Sequence, residues 1–131
     1  MILVVDDNSI ARDVVTKYLT SAGFSCVLKL NEPGIAYRVF TSNQQSIEAI
    51  VTDVFFIRSS DPGIPSGCEL VEMIRQYEKD VSADQGTFIL ATSGDSGQLQ
   101  NLMQAGADVF IPKPLKKQQV VDLIKTRLHT S

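Results

Sequence analysis

The sequence predicts an α/β domain in which a five-stranded parallel sheet is covered by helices on both faces. Five apolar runs of strand length recur along the chain, and several are apolar throughout instead of alternating with polar residues. Continuous apolarity is what a strand buried on both faces requires, and parallel strands need crossover connections that put helices there. The segments between the runs carry apolar residues at helical spacing, and turn formers mark the joints.

Taken in order, the first strand is expected at 2–5, where the chain reads Ile-Leu-Val-Val. Asn8 or Ser9 can cap the first helix, whose stripe is Ile10, Val14, Val15, Tyr18 and Leu19, and Gly23 can close it. A second strand is expected at 26–30. Pro33 then suits the opening turn of a second helix, because the N–H it lacks would find no partner there. The third strand, at 49–51, runs into a segment at about 54–66 that is crowded with turn formers. From 56 to 66 it reads Phe-Ile-Arg-Ser-Ser-Asp-Pro-Gly-Ile-Pro-Ser with no sustained period. That is the pattern of a long loop, and loops of this length in compact domains are often functional. Leu70, Val71 and Ile74 mark a third helix, 88–91 a fourth strand, Leu99, Leu102 and Met103 a fourth helix, and 109–111 a fifth strand. Val120, Val121, Ile124 and Leu128 form the stripe of the last helix. With right-handed crossovers these elements give a flavodoxin-like (βα)5 arrangement with strand order 2-1-3-4-5, in a single domain spanning 1–131 with an expanded loop after its third strand.

Bulk properties agree and narrow the function. A chain of 131 residues, 44% of them hydrophobic, suits one core, and its longest apolar runs, such as 2–5 and 54–57, are far too short to cross a bilayer. No basic leader follows Met1, so a cytoplasmic location is expected. Cys26 and Cys68 fall in different elements and form no metal-spaced cluster, which reads as two reduced, structural thiols. The net charge of −3 leaves no broad basic surface for a nucleic acid.

In open parallel sheets ligands bind beyond the carboxyl ends of the strands, so the residues there are the ones to read. The first strand runs into Asp6 and Asp7, the third into Asp53, the fourth into Thr92 and Ser93, and the fifth into Lys113. Three carboxylates, a hydroxyl and an ammonium would then converge on one patch. Close carboxylates repel, and the remedies are raised pKa values or a bound cation; oxygen-rich sites that also hold phosphate commonly take Mg²⁺. A carboxylate can attack phosphorus when charge on the phosphoryl oxygens is neutralised, and Asp53 at the central strand is the natural nucleophile, with Lys113 and Ser93 holding the remaining oxygens. Singly, Asp-Asp-Asn-Ser is also a capping sequence, and Ser93 and Lys113 fit ordinary turns. Independent caps and turns, however, have no reason to share one edge of one sheet.

The residues Ile2-Leu3-Val4-Val5-Asp6-Asp7-Asn8, Ile50-Val51-Thr52-Asp53, Ser93-Gly94-Asp95 and Gly106-Ala107-Asp108-Val109-Phe110-Ile111-Pro112-Lys113-Pro114 resemble the receiver domains of two-component response regulators over nearly the whole chain. The resemblance implies that Asp53 is the phosphoacceptor, supplied by a sensor histidine kinase or a histidine phosphotransfer protein. It implies Mg²⁺, with Mn²⁺ as a substitute, held by Asp6, Asp7, the Asp53 side chain and the backbone carbonyl of Phe55. Ser93 would be the switch hydroxyl, Phe110 the aromatic whose rotamer follows it, and Lys113 the phosphoryl partner, with a cis bond to Pro114. Phosphorylation would change the face formed by the fourth helix, fifth strand and fifth helix, which a downstream effector protein or domain reads. A weak or phosphorylation-dependent dimer fits the same picture, and no nucleic acid or membrane is expected as a partner of this domain.

Two departures stand out. A Met-Pro pair usual soon after the acceptor is missing, and Gly67 lies 14 positions beyond Asp53, so the loop is expanded. Such a loop could shield the site, slow hydrolysis or touch a partner, and Phe55 would restrict attacking water. Pro112 beside Lys113 is a smaller departure. An aspartate-nucleophile phosphatase would want an acid two positions after the nucleophile, where this chain has Phe55, so a regulatory domain and not a turnover enzyme is expected. The alternative is a receiver-like interaction module not regulated by phosphorylation. A nucleotide-binding protein of similar fold would want a glycine-rich loop after the first strand, which is absent.

Overall fold

The computed structural model describes residues 1–54, 56, 63, 64 and 66–129. Five strands, β1 (Ile2–Val5), β2 (Val27–Leu30), β3 (Ala49–Asp53), β4 (Phe88–Ser93) and β5 (Val109–Pro112), form one parallel sheet in the order β2-β1-β3-β4-β5. They alternate with α1 (Ser9–Ser21), α2 (Pro33–Ser42), α3 (Gly67–Asp80), α4 (Leu99–Ala105) and α5 (Lys117–His129), and short 3₁₀ turns cover Gln44–Ser46 and Ser96–Gln98. The flavodoxin-like expectation is met in strand order, in direction and in helix number. Among the described residues no helix is long and apolar enough to cross a membrane.

Continuous apolarity in the strands is explained by two separate cores. Leu3, Val5, Ile50, Ile89 and Ala91 project to one face, where they meet Ala36 and Phe40 of α2, Leu70, Val71 and Ile74 of α3, and Leu102 of α4. Their alternates Ile2, Val4, Ala49, Val51, Phe88 and Leu90 project to the other, against Val15 and Leu19 of α1 and Val120 and Ile124 of α5. Period-two geometry thus spends every residue of the inner strands on burial. The edge strands β2 and β5 are only partly covered, and β2 carries Lys29 in the way edge strands commonly carry a charge.

Several boundaries differ from the apolar runs for physical reasons. β3 and β4 run two residues past their apolar cores, because Thr52, Asp53, Thr92 and Ser93 still hold ladder positions although their side chains are polar. Cys26 precedes β2 and is exposed. Ala22 caps α1, its N–H donating to Leu19 and Thr20, and Gly23 takes the left-handed turn that follows at φ 103°. Pro33 opens α2 as expected.

Of the expanded loop, Val54 and Ile64 are buried in the first core, with Phe56 packed against it; most of the rest lies outside the described residues. At the opposite end of the sheet, Arg75 of α3 donates to the main chain of Gly106 and Thr87 and pairs with Glu78 and Asp108, each at 2.8 Å. Asp108 in turn accepts from the Ile89 N–H, and Glu78 from the Thr87 N–H. One side chain therefore ties α3 to the start of β4, the end of α4 and the start of β5.

Candidate functional site

At the carboxyl end of the sheet, β1 stops one residue short of Asp6 while the chain turns into α1. The capping role falls to Asn8, whose Oδ1 accepts from the N–H groups of Ile10 and Ala11 at 3.0 Å each. The capping account of this segment thus holds for Asn8, and neither Asp6 nor Asp7 is the N-cap. Asp6 is 5% exposed; its Oδ1 accepts from the Asn8 N–H at 2.9 Å and its Oδ2 from Lys113 Nζ at 3.0 Å. The Arg12 guanidinium, reaching back from α1, donates to the Asp6 main-chain oxygen at 2.8 Å.

Asp53 ends β3, 9% exposed, and its Oδ1 accepts from the Val54 N–H at 2.9 Å. Carboxylate oxygens of Asp6, Asp7 and Asp53 all lie within 4.8 Å of one another. Lys113 is aligned by β4, its N–H donating to the Ser93 carbonyl at 2.9 Å, and its Nζ stands 3.5 Å from Asp53 Oδ1. The Lys113–Pro114 bond is cis, as the resemblance implied.

Charge balance explains the titration of the pair. Burial pushes the Asp53 carboxyl above its ordinary value and the neighbouring Asp6 charge pushes it further, against the pull of Lys113 and the Val54 N–H. For Lys113, burial works against the charged form, but the hydrogen bond to Asp6 and the charges of Asp53 and Asp6 outweigh it and hold the ammonium above its ordinary value. Lys113 pairs with Asp6 and Asp53, yet three carboxylate oxygens still crowd within 4.8 Å. The donor set is all oxygen, anionic and partly buried, so it fits a hard divalent cation such as Mg²⁺.

Ser93 ends β4 at 1% exposure, and its Oγ accepts from the Asp95 N–H at 3.0 Å. Thr92, the residue paired with Asp53, donates its hydroxyl to the Thr52 carbonyl instead. Phe110 lies opposite Ala91 on β5, half-buried against the first core. Phe55 lies outside the described residues. Gly67, the first residue of α3, donates its N–H to the Val54 carbonyl at 2.8 Å, and a Cβ there would collide with the Asp53 carbonyl oxygen. Burial, and then the charges of Glu69 and Glu72, push the Cys68 thiol above its ordinary value, away from the reactive thiolate.

Residues 2–125 match the family of the response regulator receiver domain. The chain belongs to that family. One relative, the histidine kinase CKI1 of Arabidopsis thaliana, is 33% identical over 98% of this chain, which spans 12% of the kinase's length. A chemotaxis protein CheY homolog of Campylobacter jejuni is 26% identical over 98% of this chain and 92% of its own. Among solved structures, the receiver domain of that Arabidopsis kinase complexed with Mg²⁺ is 32% identical, with a TM-score of 0.76 over 95% of this chain and 89% of its own. The protein is thus a regulatory receiver domain of two-component signalling, and its acidic cluster stands in a fold for which a Mg²⁺ complex of a relative is known.

Proposed function

We propose that this receiver accepts a phosphoryl group on Asp53 from a histidine kinase or histidine phosphotransfer protein. The observation that carries the reading is the convergence of Asp6, Asp7 and Asp53 oxygens within 4.8 Å, with Lys113 Nζ 3.0 Å from Asp6 and 3.5 Å from Asp53. Asp53 Oδ1 is occupied by the Val54 N–H and faces Lys113, which leaves Oδ2 as the attacking atom. That oxygen forms the new bond to phosphorus as the phosphorus–nitrogen bond of the donor breaks, and the departing imidazole takes up a proton. Asp6, Asp7 and Asp53, with the Phe55 carbonyl, would hold Mg²⁺ or Mn²⁺, which when bound supplies positive charge against the phosphoryl oxygens. Lys113, paired with Asp6 and Asp53, contributes a second positive charge, and Ser93 brings a hydroxyl from the end of β4.

Ser93 and Phe110 would carry the change outward. The Ser93 hydroxyl is bonded to the loop that leads into α4, so a shift toward a phosphoryl group pulls on that loop, and Phe110 on the adjoining strand repacks. The face of α4, β5 and α5 then presents a different surface to a downstream effector protein or domain, or to a second copy in a weak dimer formed on phosphorylation. An apolar groove of about 470 Å³ beside Asp6 and Lys113, lined by Val14, Tyr18 and Leu115, offers a protein donor a seat next to the acceptor. The domain acts as a single unit in the cytoplasm, without nucleic acid or membrane as its partner.

Intact mass of the wild type and Asp53→Asn, each incubated with Mg²⁺ and acetyl phosphate, tests the reading. A labile gain of one phosphoryl group in the wild type alone is expected. No gain in a wild type that binds Mg²⁺ would make this an interaction module that phosphorylation does not regulate.

A further inference from the structure

We infer that Arg12 is a positioning residue for the Asp6–Asp7 pair, and that it sets the affinity of the site for a divalent cation. The inference rests on the reading of Asp6, Asp7 and Asp53 as cation ligands. Arg12 lies four residues into the cap-to-helix run that begins at Asn8, its own N–H donating to the Asn8 carbonyl at 2.9 Å. Side chains in a helix lean toward its N-terminus, so a long one at this position sweeps back over the first turn and reaches the end of β1. There its guanidinium meets the Asp6 main-chain oxygen at 2.8 Å in a part-buried setting.

That oxygen is the informative one. It belongs to the same planar peptide unit as the Asp7 nitrogen, so holding it fixes the plane from which Asp7 departs. On the other side, the Asp6 N–H donates to the Leu30 carbonyl at 3.0 Å, and both carboxylate oxygens are engaged by the Asn8 N–H and Lys113. Asp6 is pinned at four atoms. Asp7, next in the chain, has its starting direction set by Arg12. A site that needs three carboxylate oxygens within 4.8 Å tolerates little drift in that direction.

Charge and position make opposite predictions, which renders the inference testable. A guanidinium near an acidic cluster repels an incoming cation, so if Arg12 acted only through its charge, removing it would tighten binding. If it only anchored the helix, stability would fall while affinity stayed constant. A positioning role alone predicts weaker binding, by roughly the 10- to 100-fold that loss of an outer partner of a metal ligand typically causes.

The experiment is Mg²⁺ titration by calorimetry on the wild type, Arg12→Met, Arg12→Gln and Arg12→Lys, with urea unfolding of each. Arg12→Met is expected to weaken Mg²⁺ about tenfold or more. Arg12→Lys, which can still donate, should recover part of that loss, and Arg12→Gln serves where the Met variant does not fold. Unchanged or tighter binding in a folded variant overturns the inference while leaving the acceptor reading intact. A wild type that binds no Mg²⁺ overturns both.

Discussion

Gly67 carries the sharpest test of how the fold supports Asp53, the proposed acceptor. Its replacement by Ala puts a Cβ into the Asp53 carbonyl oxygen, 3.0 Å from Val54 Cα and 3.2 Å from the Asp53 carbonyl carbon. All three are backbone atoms of the strand end, so no side chain can swing away to make room. Either the first turn of α3 lifts off or the end of β3 shifts. Forced overpacking of this kind costs about 1–3 kcal/mol. Lifting the turn also stretches the 2.8 Å bond from the Gly67 N–H to the Val54 carbonyl, at about 1 kcal/mol. Ala recovers part of this through helix propensity, at most about 1 kcal/mol and less at a first helical position. The net expectation is a loss of about 2 kcal/mol, read as a lower urea midpoint with unchanged slope. Because the displaced atoms belong to Asp53 and Val54, which orient the acceptor carboxylate, Mg²⁺ affinity and the rate of labelling by acetyl phosphate should fall as well. A Gly67→Ala protein of wild-type stability and wild-type labelling rate would refute the reasoning, since it would mean that the contact between α3 and the acceptor strand is slack.

Other perturbations follow from the same geometry. In cation-free protein Asp53→Asn should raise stability at neutral pH. The folded carboxyl titrates above its ordinary value, so the folded state binds the proton more tightly than the unfolded chain, and the wild type gains stability as pH falls through the folded value and loses it as pH rises. The advantage of Asp53→Asn should therefore grow from acid to neutral pH, by about 1.4 kcal/mol for every tenfold by which folding tightens proton binding, and excess Mg²⁺ should shrink or reverse it; urea unfolding across that range with and without chelator reads it, and a flat difference would contradict it. Arg75→Met should cost about 3 kcal/mol or more, because it strands the nearly buried Glu78 and releases Asp108 beside the main chain they hold; a loss under about 1 kcal/mol would show the clamp to be dispensable. Ser82 sits at φ 53° after α3, where glycine is favoured, so Ser82→Gly should raise stability by about 0.5–1 kcal/mol in urea unfolding, and a lower midpoint would count against the assigned turn.

What can be read in the sequence, and what cannot, divides along the reach of the interactions. Apolar runs report burial directly, which is why they bound Ile2–Val5 correctly and why they stop short in β3 and β4: Thr52, Asp53, Thr92 and Ser93 keep ladder positions that hydrophobicity does not mark. The neighbourhood of Asp6, Asp7, Asp53 and Lys113 is legible because the carboxyl ends of parallel strands share one edge, and Ser93 ends β4 at that same edge. Arg12 and Arg75 are not legible. Each binds main-chain oxygens, which every residue carries, and an arginine among other polar helix residues has no signature for such a partner. Spacing does hold one further signal: Ser66 followed by Glu69 is a capping pair, and the structure joins their side chains at the start of α3. The loop at 54–66 can be recognised as long but not shaped, and among its described residues Val54, Phe56 and Ile64 are the apolar ones that meet the core.

The acidic cluster makes sense only if its cost in stability is tied to binding. A chain selected for stability alone would not bury Asp6 and Asp53 side by side with Asp7 at hand, because the arrangement holds the Asp53 carboxyl above its ordinary value even with Lys113 beside it. Asn8 shows that the local chain already has a cap and does not need the two aspartates for that purpose. Nor is the cluster loosely held in a way that would let it relax: Asp6 is bonded at four atoms, and Asp53 has its carbonyl wedged against Gly67. Crowded, partly buried carboxylates are what a hard cation would relieve, and that cation would in turn offset the negative charge a phosphoryl group brings. On the proposed reading, the carboxylates that crowd one another in the cation-free domain are the ones through which phosphorylation of Asp53 would act on Ser93 and the loop to α4.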